Sequence, residues 1–288
     1  MDHFLYSENT KETINEARRK KSKEIAFGAP QTKLIPASIG ELHNLETINL
    51  HSCFSLLDIP LELFTLPRLK RISMSQCYLR RIPSHIEKAS KLEYLDISCN
   101  NLKFLPNEIA KLKKLVKLII DDNSLSKLPL SFASSSVLEY LSICSNQLTE
   151  LSTSIGNLSK LKILFLQHNN LQNLPEEIGN LHALEELDVR NNNLSSLPIS
   201  IGKLKNLKKL NLSNNKLTEL PVEIIGLNDS VEILIDNNLL IKPPLEIAQK
   251  GIIAIKCRFR RKAPGDSETR YPVDSDVVSM GFRFMLSR

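Results

Sequence analysis

The chain has 288 residues, of which 42% are hydrophobic and 5% aromatic, with a formal net charge of +6. That apolar content suffices for a large core, yet no stretch approaches the roughly 18 consecutive apolar residues of a membrane span. The charge is uneven: basic residues exceed acidic ones by two over 1–33 and by five over 250–288, whereas 34–249 carry a net −1, which excludes a broad nucleic-acid or membrane-binding surface there.

The opening segment Met1-Asp2-His3-Phe4-Leu5-Tyr6-Ser7-Glu8 lacks the apolar run of a secretory leader. None of the five cysteines lies in the clustered pairs with which a secreted chain staples its ends. A soluble, cytoplasmic protein is expected. Glu12 to Lys23 reads as a helix with Ile14 and Ala17 on its apolar side and Arg18, Arg19, Lys20 and Lys21 solvated, so residues 1–24 are expected to form an N-terminal cap. Ile25 and Phe27 then stand where strand-core residues belong, and Ile35-Pro36-x-x-Ile39 leads into an apolar pattern that begins at Leu45 and again at Leu69.

From Leu92 the pattern becomes regular. Leu-x-x-Leu-x-Ile/Leu-x-x-Asn-x-Leu-x-x-Leu-Pro-x-x-Ile recurs at a 23-residue step through Leu115, Leu138, Leu161, Leu184 and Leu207, and a divergent last copy starts at Ser230. A period of that length is the signature of a repeat architecture, because one copy cannot bury its own apolar face and must stack on the next. The expected fold class is an α/β solenoid, with about nine to ten units over residues 25–243. Its raw end needs a cover, and Pro244 to Ile255 reads as a terminal helical turn within a C-terminal cap over 244–261.

Within a unit, an alternation such as Leu164-Phe165-Leu166 predicts a short strand with its leucines inward, pairing in parallel with its neighbours. The amides of Asn100, Asn123, Asn146, Asn169, Asn192, Asn215 and Asn238 are expected to bond turn backbone groups of their own and the adjacent coil. Cys53 and Cys77 occupy the same place in two early units and read as members of that ladder. The Leu-Pro step ends the inner segment, since proline cannot donate to a sheet, and residues such as Ile178 and Leu181 return the chain along the convex side. Two units depart from this: Ser152 replaces the proline, and Ser134-Ser135-Ser136 replaces the usual Gly-x-Leu, which reads as a looser convex side or a docking groove. The Asn-x-Ser sequons at Asn157, Asn193, Asn211 and Asn228 arise mostly from the repeat's own residue usage.

These residues identify a resemblance to typical intracellular leucine-rich repeat proteins of the Ras-suppressor type, extending over 12–256. The capping segments Ile14-Asn15-Glu16-Ala17-Arg18-Arg19 and Pro243-Pro244-Leu245-Glu246-Ile247 look like those that flank such arrays in bacterial, amoebal and Roco-type proteins. The resemblance implies a horseshoe with a parallel β-sheet on its concave face and short helices or turns on its convex face, used as a protein-binding scaffold in signal transduction. A small GTPase or another signalling protein is the kind of partner it suggests. The tail 262–288, with Cys257-Arg258-Phe259-Arg260 before it and Gly281-Phe282-Arg283-Phe284 near its end, is similar to the closing strands of the formylglycine-generating enzyme and sulfatase-modifying factor family. Nearly all of that domain is missing, and no oxidase activity is implied.

Catalytic features are not found. The nine glycines form no phosphate loop, and His51 and His168 lie five repeats apart, roughly 25 Å at the spacing of paired strands. Asp96, Asp121 and Asp122 converge on adjacent strands but read as a solvated acidic patch rather than a calcium cage. No catalytic residue, cofactor or metal is expected. The outward strand positions carry the clearer signal: Tyr94, Ile119, Tyr140, Ile163 and Phe165 on the middle strands, flanked by Thr47, Asn49, Arg71 and Ser73 on one side and by Glu186, Asp188, Arg190, Lys209 and Asn211 on the other. An apolar, aromatic centre with a charged rim has the composition of a binding hot spot. The expectation is a non-enzymatic, monomeric scaffold that holds a protein or peptide on the concave face, with Asp121, Asp122, Glu186 and Arg190 setting charge preference and His168 at its edge. A competing reading makes the chain the targeting portion of an enzyme or a host-directed effector, Roco-like or a truncated sulfatase-modifying factor. A third makes it a self-associating solenoid.

Overall fold

The computed structural model describes residues 8–28, 32–56, 58–129, 131–132 and 137–260. The tail at 262–288 and the Ser134-Ser135-Ser136 segment lie outside them. An inward aliphatic residue between two outward ones makes each strand three residues long: β1 (Glu24–Ala26), β2 (Thr47–Asn49), β3 (Arg71–Ser73), β4 (Tyr94–Asp96), β5 (Lys117–Ile119), β6 (Tyr140–Ser142), β7 (Ile163–Phe165), β8 (Glu186–Asp188), β9 (Lys209–Asn211) and β10 (Glu232–Leu234). All pair in parallel, in chain order, as one ten-stranded sheet. Register is one-to-one, with Leu95 beside Leu118 and Leu141 beside Leu164. A slip of one residue would turn every inward leucine to solvent, so the core dictates the register.

Behind the sheet, buried side chains form one continuous cluster from Ile14 to Ile255. Each fully buried leucine contributes about 1.5–3 kcal/mol, and because every layer covers the next, no unit is stable by itself. After each strand from β2 onward the chain turns through a left-handed residue, from Ser52 through Asp122 and His168 to Asn237, with φ between 51° and 60°. The ladder residue follows. Asn100 accepts from the backbone N–H of Cys77 (3.1 Å) and of Leu79 (2.9 Å) and donates to the carbonyls of Met74 (2.8 Å) and Ile97 (3.0 Å). Later units repeat this, and the thiols of Cys53 and Cys77 take the matching carbonyls of Phe27 (3.1 Å) and Leu50 (2.8 Å). A thiol can donate once, which suffices for that carbonyl, whereas the amide serves N–H groups as well.

On the convex side short 3-10 turns follow the apolar-Pro step, from Ala37–Glu41 after Pro36 to Val222–Gly226 after Pro221, and the unit with Pro60 makes a brief α-helix, α2 (Leu61–Phe64). Ser152 does not loosen this side. Its φ of −59° and ψ of 142° match the prolines, and its hydroxyl accepts from the N–H of Ser154 at 3.3 Å, so a capping bond replaces the ring constraint. Glycine is required where convex turns touch: a Cβ on Gly202 would lie 1.9 Å from the carbonyl oxygen of Glu223.

The caps differ from their sequence reading. The N-terminal helix α1 runs Glu8–Lys20 rather than Glu12 to Lys23. Lys21 turns left-handed (φ 51°), with its N–H on Arg18 O and the N–H of Ser22 on Ala17 O, a C-terminal closure that leaves Glu24 free to open β1. At the other end Gly251 (φ 91°) splits the expected single turn into α3 (Leu245–Ala248) and α4 (Ile252–Arg260). Lys256 of α4, 5% exposed, anchors the cap by donating to Leu227 O and to Asp229 Oδ1 (2.5 Å).

Candidate protein-binding surface

Strand pleating places alternate side chains on the concave face in two parallel columns. The first reads Arg71, Tyr94, Lys117, Tyr140, Ile163, Glu186 and Lys209, each beside the next. The second reads Ser73, Asp96, Ile119, Ser142, Phe165, Asp188 and Asn211. The sequence reading left out Lys117. Because it lies between Tyr94 and Tyr140, the centre is not one uninterrupted apolar patch, and Ile119 is separately flanked by Asp96 and Ser142.

The interruption is itself organised. The Arg71 guanidinium carbon sits 4.2 Å from the Tyr94 ring centroid and the Lys117 ammonium 3.8 Å from that of Tyr140. Tyr140 meets Phe165 edge-on, with centroids 5.7 Å apart and planes at 82°. Cation–π pairs at such partly exposed sites contribute about 0.5–1 kcal/mol, and rings held by their neighbours lose less freedom when a ligand arrives. Burial raises the phenol pKa of both Tyr94 and Tyr140, so both remain hydroxyl donors at neutral pH. Tyr140, Ile163 and Phe165 form the contiguous apolar part.

The charged rim divides by accessibility. Glu186 on β8 lies 3.6 Å from Lys209. Asp188, 7% exposed, accepts from Arg190 N (3.0 Å) and Asn211 Nδ2 (3.3 Å), so it presents Arg190 rather than facing a partner itself. Of the three aspartates expected on adjacent strands, only Asp96 is on one. Asp121 follows β5 and accepts from Ser142 Oγ (2.6 Å) and Cys144 N (2.7 Å), while Asp122 occupies the left-handed turn. A carboxylate committed to hydroxyl and backbone donors makes a poor calcium ligand, and among the described residues no group of three or more His, Cys, Asp or Glu is arranged to hold a metal. His168 and Arg190 are exposed at the same edge, His168 bonding Asn191 at 3.3 Å. Cys144 is buried beside Ser142 and Asp121, where burial pushes its thiol up to about 12, so it is no thiolate nucleophile at neutral pH. Among the described residues no helix is long and apolar enough to cross a membrane.

A second feature was missed altogether: an exposed aromatic and basic cluster on the loop flank, around Phe54, Tyr78, Arg80 and Arg81. Its trace in the sequence is the 24-residue step from Leu45 to Leu69, where later steps are 23.

Two family profiles match the chain, one described as a leucine-rich repeat region over residues 130–239 and one as a leucine rich repeat over residues 67–125, together more than half of its length. No curated protein sequence matches. Among solved structures, a leucine-rich repeat protein of Leptospira interrogans is 33% identical with a TM-score of 0.72, over 78% of this chain and 57% of that one. The leucine-rich repeat ectodomain of the plant membrane receptor kinase GASSHO1/SCHENGEN3 of Arabidopsis thaliana, solved in complex with CASPARIAN STRIP INTEGRITY FACTOR 2, is 31% identical with a TM-score of 0.58, over 71% of this chain and 31% of that one. The leucine-rich repeat domain of the type III effector XopL, 23% identical over 83% of this chain and 82% of its own, has a TM-score of 0.69 and shares the fold. This chain thus spans little more than half of the Leptospira protein and about a third of the plant ectodomain. Sheet, asparagine ladder, family profiles and structural neighbours agree: the chain is a leucine-rich repeat protein, folded as a solenoid with its parallel sheet on the concave face.

Proposed function

We propose that this protein is a non-enzymatic interaction module that holds an extended peptide or protein segment across the concave sheet. Leucine-rich repeat proteins are generally protein-interaction modules, and the plant ectodomain that resembles this chain was solved with a bound factor. Tyr94, Tyr140, Ile163 and Phe165 are the anchors; Asp121, Asp122, Glu186 and Arg190 set the charge preference, with His168 at the edge. The observation that carries this reading is the locked ring series of Arg71 over Tyr94, Lys117 over Tyr140 and Tyr140 edge-on to Phe165. Half-buried side chains already held by their neighbours lose little entropy on binding, and aromatic anchors beside cations are the usual energetic centre of an interface. The reading extends to a cytoplasmic monomer in intracellular signalling with a signalling protein, such as a small GTPase, as partner. It rests there on the Ras-suppressor resemblance alone.

The test is affinity capture from the native host's lysate with wild type and with the Tyr140→Asp/Phe165→Asp double variant, after equal circular dichroism is established. A partner held by wild type and lost by the variant supports the concave site. A partner held equally by both removes it.

A further inference from the structure

We infer a second binding site, independent of the concave face, on the loop flank of the N-terminal units: a short cleft that takes a carboxylate side chain carried on an extended acidic peptide. Its origin is one extra residue. Cys53 to Ile59 is six steps where the next unit needs five from Cys77 to Ile82. The surplus leaves a cavity of about 560 Å³ whose lining includes Phe54, Leu56, Asp58, Tyr78, Arg80 and Arg81.

Three observations make this more than an irregular loop. First, Phe54 and Tyr78 stack with centroids 5.4 Å apart, yet remain 39% and 58% exposed, an apolar floor left open to solvent. Second, Tyr78 has a φ of 54°, which Asn101 and Ser124 at the same place in the following units do not share. A bulky residue in the left-handed region is strained, and such strain is kept where a side chain must be aimed. Third, the lining is net positive, with Arg80 and Arg81 against the single carboxylate of Asp58. Arg80 has no acidic partner among the described residues. Arg81 meets Asp58 only at 3.8 Å, with both side chains largely in water, a pair weak enough to be exchanged for an incoming carboxylate. The next unit continues the strip, since Lys103 and Phe104 repeat the places of Arg80 and Arg81, about 4.8 Å along the sheet, and Phe104 is 61% exposed.

Guanidinium groups bind carboxylates in a planar, two-pronged fashion, and the stacked rings would take the methylenes of the same or a neighbouring side chain. A single carboxylate suits the site better than a nucleic-acid backbone. The cleft spans only two or three units, and residues 34–249 carry a net −1, which opposes a long polyanion.

The experiment pans a random-peptide display library on the full chain. The most enriched peptide is then measured by fluorescence anisotropy against wild type, Arg80→Glu/Arg81→Glu, Tyr78→Gly and Tyr140→Asp/Phe165→Asp. The expected consensus places Asp or Glu beside an aliphatic or aromatic residue. Its affinity falls at least ten-fold in the arginine variant, weakens with added salt, and is unchanged in the concave-face variant. Tyr78→Gly binds more weakly while its Tm holds or rises, because glycine removes the strain together with the ring. No enriched peptide, a consensus without acids, equal binding to the arginine variant, loss in the concave-face variant, or displacement of the peptide by an oligothymidine would each overturn the proposal. The two sites are read by different variants, so failure here leaves the concave reading intact.

Discussion

Substituting one ladder asparagine tests whether the fold rests on buried backbone satisfaction or on leucine packing alone. Asn169 accepts from the N–H of Leu148 (3.0 Å) and donates to the carbonyls of Ile143 (2.8 Å) and Leu166 (3.0 Å). In Asn169→Ala, the Leu166 carbonyl keeps the amide of Asn192 at 3.0 Å. The Leu148 N–H and the Ile143 carbonyl lose the bonds that Asn169 supplied. Each orphaned buried group costs about 1–3 kcal/mol, so the loss should be about 2–6 kcal/mol, against less than about 0.5 kcal/mol for the exposed neighbour Asn170→Ala. Asn169→Cys should fall between them, because Cys53 and Cys77 show that a thiol serves the carbonyl but not the N–H. Urea unfolding followed by circular dichroism gives the three values, and hydrogen exchange should show the Leu148 amide opening first. Since stability in a solenoid is a sum over units and their interfaces, the transition is followed for a change of slope as well as of midpoint. If Asn169→Ala and Asn170→Ala agree within about 0.5 kcal/mol, the ladder is not what satisfies the turn and the argument fails.

Three further outcomes are expected. Gly202→Ala drives a methyl against the Glu223 carbonyl, 1.9 Å from the ideal Cβ position, and should lower stability by about 1–3 kcal/mol, whereas Gly28→Ala, with nothing within 4 Å, should be neutral in the same thermal melt. The hydrogen bond and charge of Lys256 hold the Asp229 carboxyl below its ordinary value. This contribution to the C-terminal cap is therefore full above the unfolded-state pKa of about 4 and is lost as pH falls through the lower folded value. Hydrogen exchange in α4 should accelerate over that acid window in wild type, and Lys256→Met should remove the pH dependence. Ser152→Pro, at a site that already has proline-like φ and ψ, should leave stability unchanged or raise it by up to about 1 kcal/mol; a lowered melting temperature would contradict the geometry assigned to that turn.

Much of the concave surface was legible in the sequence, because a strand of period two assigns each residue a side: Tyr94, Tyr140, Ile163, Phe165 and Glu186 all face outward as their spacing requires. What spacing does not convey is which outward residues touch. The stacking of Lys117 on Tyr140 and of Arg71 on Tyr94 depends on one-to-one register between units. The withdrawal of Asp188 into bonds with Arg190 and Asn211 depends on the depth of the sheet's third position. Asp121 looked like a strand residue because the apolar alternation runs on past Ile119, whereas the backbone leaves the sheet there and turns left-handed at Asp122.

By itself the sequence determined the solenoid, its parallel sheet and its ladder of Asn and Cys, since a 23-residue period of buried leucines leaves no other way to cover each unit's apolar face. Tertiary structure alone decided where α1 stops, how Gly251 divides the last two helices, and that the unit with one extra residue after Cys53 carries a cleft lined by Phe54 and Tyr78. Those features arise from contacts between units and from backbone conformations at single residues, which a repeating pattern of side-chain types does not encode.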